Sequence, residues 1–344
     1  MSKTFLVTGG AGFIGSNFVH YIYDKYPDAK IIVLDLLTYA GSVDNFPKSS
    51  DEDDRFEFWY GNVANSALVE SLVSRSDIVV HFAAETHVTR SIFDNKAFFE
   101  TDVLGTQTVA NAVLKYKDNI DRFIHISTSE VYGTAESCEL MSEEHPLNPA
   151  SPYAAAKVGA DRLVYSYVKT YDIPAVIVRP FNNYGPCQHL EKAIPRFITS
   201  LLLEEDIRVH GKGAASRDWI YVEDTCRGLD VIINAPIQKV KGEVFNLGTG
   251  RTITIKDIAN KVVEKMDKSL DLVKYSEDRP GQVDCHIANT SKMKEVLNWE
   301  PEVKFEDGLE KTIQWYRKNK HLWDKQIWMR NVRIVLNNGK SVIH

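Results

Sequence analysis

The sequence predicts an α/β fold, a doubly wound parallel sheet of the Rossmann kind with a smaller C-terminal α/β substrate domain. Three observations carry this expectation. Short apolar runs alternate with helix-patterned stretches through the first half, a glycine-rich turn opens the first such stretch, and an acidic residue closes the second apolar run.

In chain order the strand-like runs are Phe5–Val7, Ile31–Leu34, Phe56–Trp59, Ile78–Phe82, Phe123–Ile126 and Ala175–Val178. Between them, helix patterns fall near 14–25, 66–74, 97–116 and 153–171. After Pro180 the rhythm changes. Residues 182–186 read as a loop, 193–204 as a helix, Arg217–Tyr221 as a short strand, and Glu243–Gly248 as a strand ending in a glycine-rich turn. The expected organisation is a dinucleotide-binding domain over 1–180, rejoined by segments near 218–250, a substrate-binding domain over 181–330, and an extension over 331–344. Within Lys325–His344, an Asn337-Asn338-Gly339 turn predicts a small hairpin.

Composition narrows the function. The 344 residues are 44% hydrophobic and 26% charged, enough for one large core or two joined ones. A net charge of −6 with no long basic run argues against nucleic-acid binding, so an anionic substrate must be met by a few local cations. Cys138, Cys187, Cys226 and Cys285 lack CxxC spacing and imply neither a metal knuckle nor a disulfide framework, which suits a reducing cytoplasm. No secretory signal and no eighteen-residue apolar stretch is present, so no membrane partner is expected. No histidine pair has metal-ligand spacing. His81, His87 and His125 read as packed or hydrogen-bonded side chains, and no metal is expected.

Gly9, Gly12 and Gly15 follow a strand and open a helix. That order allows a tight turn, a close approach of backbone N–H groups to a pyrophosphate, and close helix packing. Asp35, at the end of the next strand, can accept from ribose hydroxyls. It would repel a 2′-phosphate, and Leu36-Leu37 supply no arginine, so the expected cofactor is NAD. Tyr153 and Lys157 stand one helical turn apart behind a Pro152 helix start, which lets an ammonium stabilise a phenolate. Ser127, Thr128, Ser129 and Glu130 follow a strand and fall at the carboxyl edge of the sheet, where ligands bind in such folds. Together these residues read as a nicotinamide enzyme that oxidises an alcohol.

The ordered series TGGAGFIGSN, LDLLTYAGSVDN, HFAAETHVTRSI, HISTSEVYG, SPYAAAK, NNYGP, EKAIPRFI, GKGAASRDWIYVED and DRPGQ, spread over about residues 3–320, resembles the extended short-chain dehydrogenases/reductases that act on nucleotide sugars. Within that group it is most similar to the dTDP-glucose 4,6-dehydratases. The resemblance implies oxidation of a sugar C4 hydroxyl by bound NAD, loss of water across C5 and C6, and return of the hydride to C6. In that scheme Tyr153 takes the C4 hydroxyl proton, Lys157 stabilises its phenolate, Thr128 orients the hydroxyl, and Glu130 removes the C5 proton. It also implies cofactor contacts at Phe13, Ile14, Asn62, Val63 and Ala83. For the nucleotide-diphosphate sugar it implies contacts at His87, Asn182, Asn183, Lys192, Val209, Arg217 and Arg279.

The pattern departs from the family in places. Ser129-Glu130 stands where an Asp-Glu pair is usual, and a serine hydroxyl is too weak an acid to protonate a leaving hydroxyl. GDP-mannose 4,6-dehydratases and UDP-glucuronate decarboxylases share Ser-Glu there. Thr89 replaces a common aspartate, Asn62 and Asp102 replace the usual Asp and Asn, and His210 replaces an aromatic residue. A UDP-glucuronate decarboxylase, a C4 epimerase, or a non-catalytic nucleotide-sugar-binding protein are therefore alternative expectations. Apolar positions on more than one face of 97–116 and 153–171, with the family's habit of pairing such helices, imply a homodimer.

Overall fold

The apolar runs of the first half become parallel strands in the computed structural model, which describes residues 3–277, 283–330, 333–335 and 341–343. They are β1 Thr4–Thr8, β2 Lys30–Asp35, β3 Phe56–Tyr60, β4 Ile78–His81, β5 Arg122–Ile126 and β6 Ala175–Pro180. Short strands follow: β7 Asn182–Tyr184, β8 Ile207–His210, β9 Ser216–Tyr221, β10 Val244–Leu247, β11 Thr252–Thr254, β12 Val273–Ser276 and β13 Cys285–His286. The main sheet is seven-stranded in the order β3-β2-β1-β4-β5-β6-β10, and every pair in it is parallel.

Alternation along each strand divides the core in two. Phe5 and Val7 point to one face with Ile31, Val33, Ile124 and Val178, against helices Phe13–Lys25 and Val222–Asn234. Leu6, Ile32, Val79, Phe123 and Ile177 point to the other, against helices Ser66–Val73, Thr106–Lys115 and Pro152–Tyr171. Burial on both faces explains why these strands read as unbroken apolar runs. Helix Pro152–Tyr171 is fixed at its start by Ser151, whose hydroxyl accepts from the Ala154 N–H at 3.2 Å, and by Pro152 in the first turn.

The smaller sheet has β9 between β11 and β13, with β7 also paired to β9, while β8 and β12 form a separate parallel pair. Here the expectation of a loop over 182–186 is corrected. Asn182–Tyr184 is a strand because β9 supplies its partners from far along the chain, although Asn-Asn has little local strand preference. A second correction concerns the helix expected over 97–116, whose Phe99–Gly105 stretch is a π-helix. This wider turn carries the buried Asp102, whose Oδ1 accepts from Glu85 N–H at 2.8 Å.

The cysteines give a third correction. Cys138 and Cys285 form a disulfide across 147 residues. Their spacing carries no sign of it, because the two meet only once β13 lies beside the segment where Ala135 N–H donates to the Cys285 carbonyl at 3.1 Å. Cys187 and Cys226 are free thiols. Arg333–Val335 and Ser341–Ile343 pair as an antiparallel ladder. The expected turn at Asn337 lies outside the described residues. Among the described residues no helix is long and apolar enough to cross a membrane.

One buried ion pair ties helix Pro152–Tyr171 to β6. Arg179 reaches Asp161 through Nε at 2.9 Å and Nη2 at 3.0 Å, and also donates to the Tyr132 hydroxyl and the Glu143 carbonyl. Burial raises the Asp161 carboxyl, but Arg179 and Arg162 hold it net below the usual carboxylate range. Asp161→Ala leaves Arg179 buried without its main partner and should cost about 3–5 kcal/mol of stability. Urea unfolding measures this, and a loss below about 1 kcal/mol, as for an exposed pair, would contradict the role given to it.

Candidate active site

Strand ends build the site. The glycine turn leaves β1, Ala83 follows β4, Ser127–Glu130 follows β5 and Phe181 follows β6, so four consecutive strands deliver their loops to one edge. Gly9 has φ +71°, and a Cβ there would lie 2.5 Å from the Ala83 nitrogen. A Cβ at Gly15 would lie 2.3 Å from the Gly9 carbonyl oxygen. The helix that starts at Phe13 has Gly12 at its N-cap, no side-chain cap and no acidic residue in its first turn. Its positive end therefore faces the cleft unopposed by a carboxylate of that turn. Asp35 is held at the end of β2 by N–H donors from Ala11 at 3.0 Å and Leu37 at 2.8 Å. Burial raises its carboxyl, and these backbone donors pull it back. A bare helix terminus, glycines at close backbone approach and a fixed carboxylate fit a dinucleotide.

Gly9, Gly12, Phe13, Ile14, Gly15, Asp35, Asn62, Val63 and Ala83 all line this cleft. So do Thr128, Glu130, Tyr153 and Lys157. The Thr128 hydroxyl accepts from the Glu130 N–H at 3.2 Å, which starts the 3₁₀ turn Ser129–Tyr132, and it acts on the Tyr153 phenol. Ser129 differs from its neighbours: its side chain is buried and does not line the cleft.

The electrostatics of this cluster follow from burial. The Tyr153 phenol is pushed well above its usual value by burial and then by Asp102, against a smaller opposing effect of the Thr128 hydroxyl. Lys157 is buried and donates to the Ile126 carbonyl at 2.7 Å. Burial lowers its ammonium below the usual value, while Asp102 and Asp161 support the charge. Burial raises the Asp102 carboxyl, Lys157 pulls it down, and its Oδ2 has no hydrogen-bond partner. His81 bridges Thr8 Oγ1 at 2.6 Å and Thr106 Oγ1 at 3.0 Å, and burial, then Lys157, pushes it down to about 3.

His87, Asn182, Asn183, Lys192 and Arg217 line the same cleft. His87 caps helix Val88–Phe93 by accepting from Arg90 N–H at 3.1 Å. Lys192 donates to the Thr86 carbonyl at 3.1 Å, and Arg217 to the Ser216 carbonyl at 2.9 Å. The Asn183 amide is spent within the fold: it donates to the Phe181 carbonyl and accepts from Thr225. Asn182 Oδ1 is buried without a hydrogen-bond partner. Val209 points into the apolar cluster of the smaller sheet, while its neighbours Arg208 and His210 line the cleft. Arg279 lies outside the described residues.

Sequence reading passed over Arg196 and Arg208, which line the cleft together with Arg217. Arg196 stands four residues after Lys192, and that spacing was the available signal. It also passed over Glu191. This buried carboxylate accepts from Tyr39 at 2.9 Å and Arg90 at 3.2 Å, with His87 at 3.6 Å and His189 at 3.8 Å. Among the described residues no group of three or more His, Cys, Asp or Glu side chains is placed to hold a metal ion.

The family described as GDP-mannose 4,6 dehydratase matches residues 6–312. The chain is 45% identical over 311 residues to the low-salt glycan biosynthesis protein Agl12 of Haloferax volcanii, covering 90% of this chain and 97% of that one. It is 40% identical to a dTDP-glucose 4,6-dehydratase of an Actinoplanes species, covering 92% and 99%. Among solved structures it resembles DesIV, the dTDP-glucose 4,6-dehydratase of Streptomyces venezuelae with NAD and TYD bound. The TM-score is 0.88 at 38% identity, covering 94% of this chain and 99% of that one.

The state of His81 can be tested by linkage. Unfolded, it titrates near 6.5; folded, it stays neutral down to about 3. Below about pH 6.5 the unfolded chain binds a proton that the folded chain refuses, so His81 costs the fold about 1.4 kcal/mol per pH unit of acidification. His81→Asn removes that dependence. The stability advantage of the wild type over the variant should shrink between about pH 6.5 and pH 4 in urea titrations, and an advantage constant with pH would contradict a neutral His81.

Proposed function

We propose, since the chain belongs to the GDP-mannose 4,6-dehydratase family within the extended short-chain dehydrogenases/reductases, that it is an NAD-dependent nucleotide-sugar 4,6-dehydratase. It converts a nucleotide-diphosphate hexose to the 4-keto-6-deoxy sugar. The observation that carries this reading is the meeting, in one cleft with the glycine turn and Asp35, of Thr128, Glu130, Tyr153 and Lys157. Gly9, Gly12, Gly15 and Asp35 would hold NAD, which when bound supplies the acceptor and donor of hydride.

The residues of the chain do the proton chemistry. Burial keeps Tyr153 a neutral phenol at rest, so its removal of the C4 hydroxyl proton depends on positive charge nearby, and Lys157 one helical turn on supplies it. Thr128 orients the hydroxyl against Tyr153. Once C4 is a ketone the C5 proton is acidic, and Glu130, whose side chain lines the cleft, takes it in this reading. Arg196, Arg208, Arg217 and Lys192 bring cations to the cleft wall and suit a nucleotide diphosphate in a chain of net charge −6.

A homodimer belongs to the same proposal. Support comes from Phe99, Leu104 and Tyr165, which expose apolar surface on the helical stretches that family members pair. A cytoplasmic site of action also goes with this reading, although the Cys138–Cys285 disulfide removes the cysteine argument for it.

Mass spectrometry of mixtures with dTDP-glucose, GDP-mannose, UDP-glucose, UDP-N-acetylglucosamine and UDP-glucuronate tests the reaction. The expected product is lighter than one of the neutral hexoses by one water, with no net reduced cofactor. Consumption of the glucuronate alone, with release of carbon dioxide, would make the chain a decarboxylase instead. Glu130→Gln should still form the 4-ketone but lose water about 10²-fold more slowly, and unimpaired elimination would reject Glu130 as the base.

A further inference from the structure

Beside Glu130, on the side away from the cleft, stands a group that no expectation from the sequence included. His286, on β13 opposite Arg217, is fully buried, with the ring of Phe181 edge-on to it. Its Nε2 contacts the Gly133 carbonyl oxygen. A carbonyl only accepts, so Nε2 carries the ring hydrogen, and in the neutral ring Nδ1 is left with a lone pair alone. Nδ1 makes no hydrogen bond and lies 3.8 Å from Glu130 Oε1. Two acceptors thus face each other, and a proton on Glu130 would let its carboxyl, partly exposed and with a small shift to make, draw in to hydrogen-bond distance.

From this geometry, and resting on the dehydratase reading above, we propose that His286 is a positioning residue for elimination. Its open Nδ1 accepts a hydrogen bond from Glu130 once that carboxylate has taken the C5 proton. The step balances without another acid. The C5–H bond breaks, its proton joins Glu130 and is shared with Nδ1, and its electron pair forms the C5–C6 double bond. As the C6–O bond breaks, the same proton passes from Glu130 to the leaving oxygen, and water departs with both partners restored.

The arrangement also accounts for Ser129. Its side chain is buried outside the cleft, so no hydroxyl there serves the leaving group, which leaves Glu130 as the group of this segment to take and return the proton. An acceptor behind the protonated carboxyl holds it in one orientation between C5 and the leaving oxygen. The surroundings keep the ring neutral and ready to accept. Burial lowers its affinity for a proton, Glu130 and the Gly133 contact raise it by less, and Arg217 on β9 and His145 lower it further.

Stopped-flow absorbance of His286→Phe, which keeps a ring beside Phe181 and removes both nitrogens, separates the steps. The rise of reduced cofactor should match the wild type, and its decay should slow about 10²-fold with a larger C5-deuterium isotope effect. Equal slowing of both phases, or an unchanged decay, overturns the proposal. Nitrogen-15 NMR of the wild-type imidazole tests it even if the variant fails to fold: the Nε2–H tautomer at neutral pH supports the proposal, and a hydrogen on Nδ1 overturns it. If the wild type reduces no cofactor with any nucleotide hexose, the dehydratase reading falls and takes the catalytic role with it, while the NMR result still reports on the ring alone.

Discussion

Seven parallel strands in register must end on one line, and the chemistry assigned to this chain depends on that line. Thr8 lies opposite His81, His81 opposite His125, and Ile126 opposite Val178, so the segments that follow leave the sheet together. Gly9, Ala83 and Thr128 share one cleft for this reason, although they are far apart in sequence. A slip of one residue between β4 and β5 would turn every side chain of a strand to the opposite face and remove the Ser127–Glu130 segment from its place beside the turn.

Burial then sets the charges. Desolvation works against the charged forms of both Tyr153 and Lys157, and the main offset to Lys157 is Asp102, itself raised by burial and left with one oxygen unbonded. The π turn puts Asp102 there. These three groups form a network in which the charge of one depends on the others, so its cost falls in the site and its return lies in control of proton position. By contrast the Asp161–Arg179 pair, which joins the same helix to β6, is matched and serves the fold.

The features legible in the sequence were those carried by local spacing. The glycine turn, Asp35 and the Tyr153–Lys157 interval depend on neighbours a turn or a strand away, and each sits where its pattern places it in the cleft. What local pattern cannot carry was missed. β7 exists because β9 lies beside it, and Cys138 meets Cys285 because β13 returns across 147 residues. The π turn leaves apolar periodicity almost unchanged. Glu191, Arg196 and Arg208 read as ordinary charges until the small sheet folds over the cleft, and His286 becomes notable only through a carbonyl and a carboxylate that the sequence places far from it.

The central claim is that one cleft oxidises a sugar at C4 and returns the same hydrogen to C6. A nucleotide hexose deuterated at C4 tests it most directly. The account predicts a 4-keto-6-deoxy product with the deuterium on C6, while C5 takes its hydrogen from solvent. A turned-over product with no deuterium at C6, whether the label stays at C4 or is lost to the medium, would contradict it.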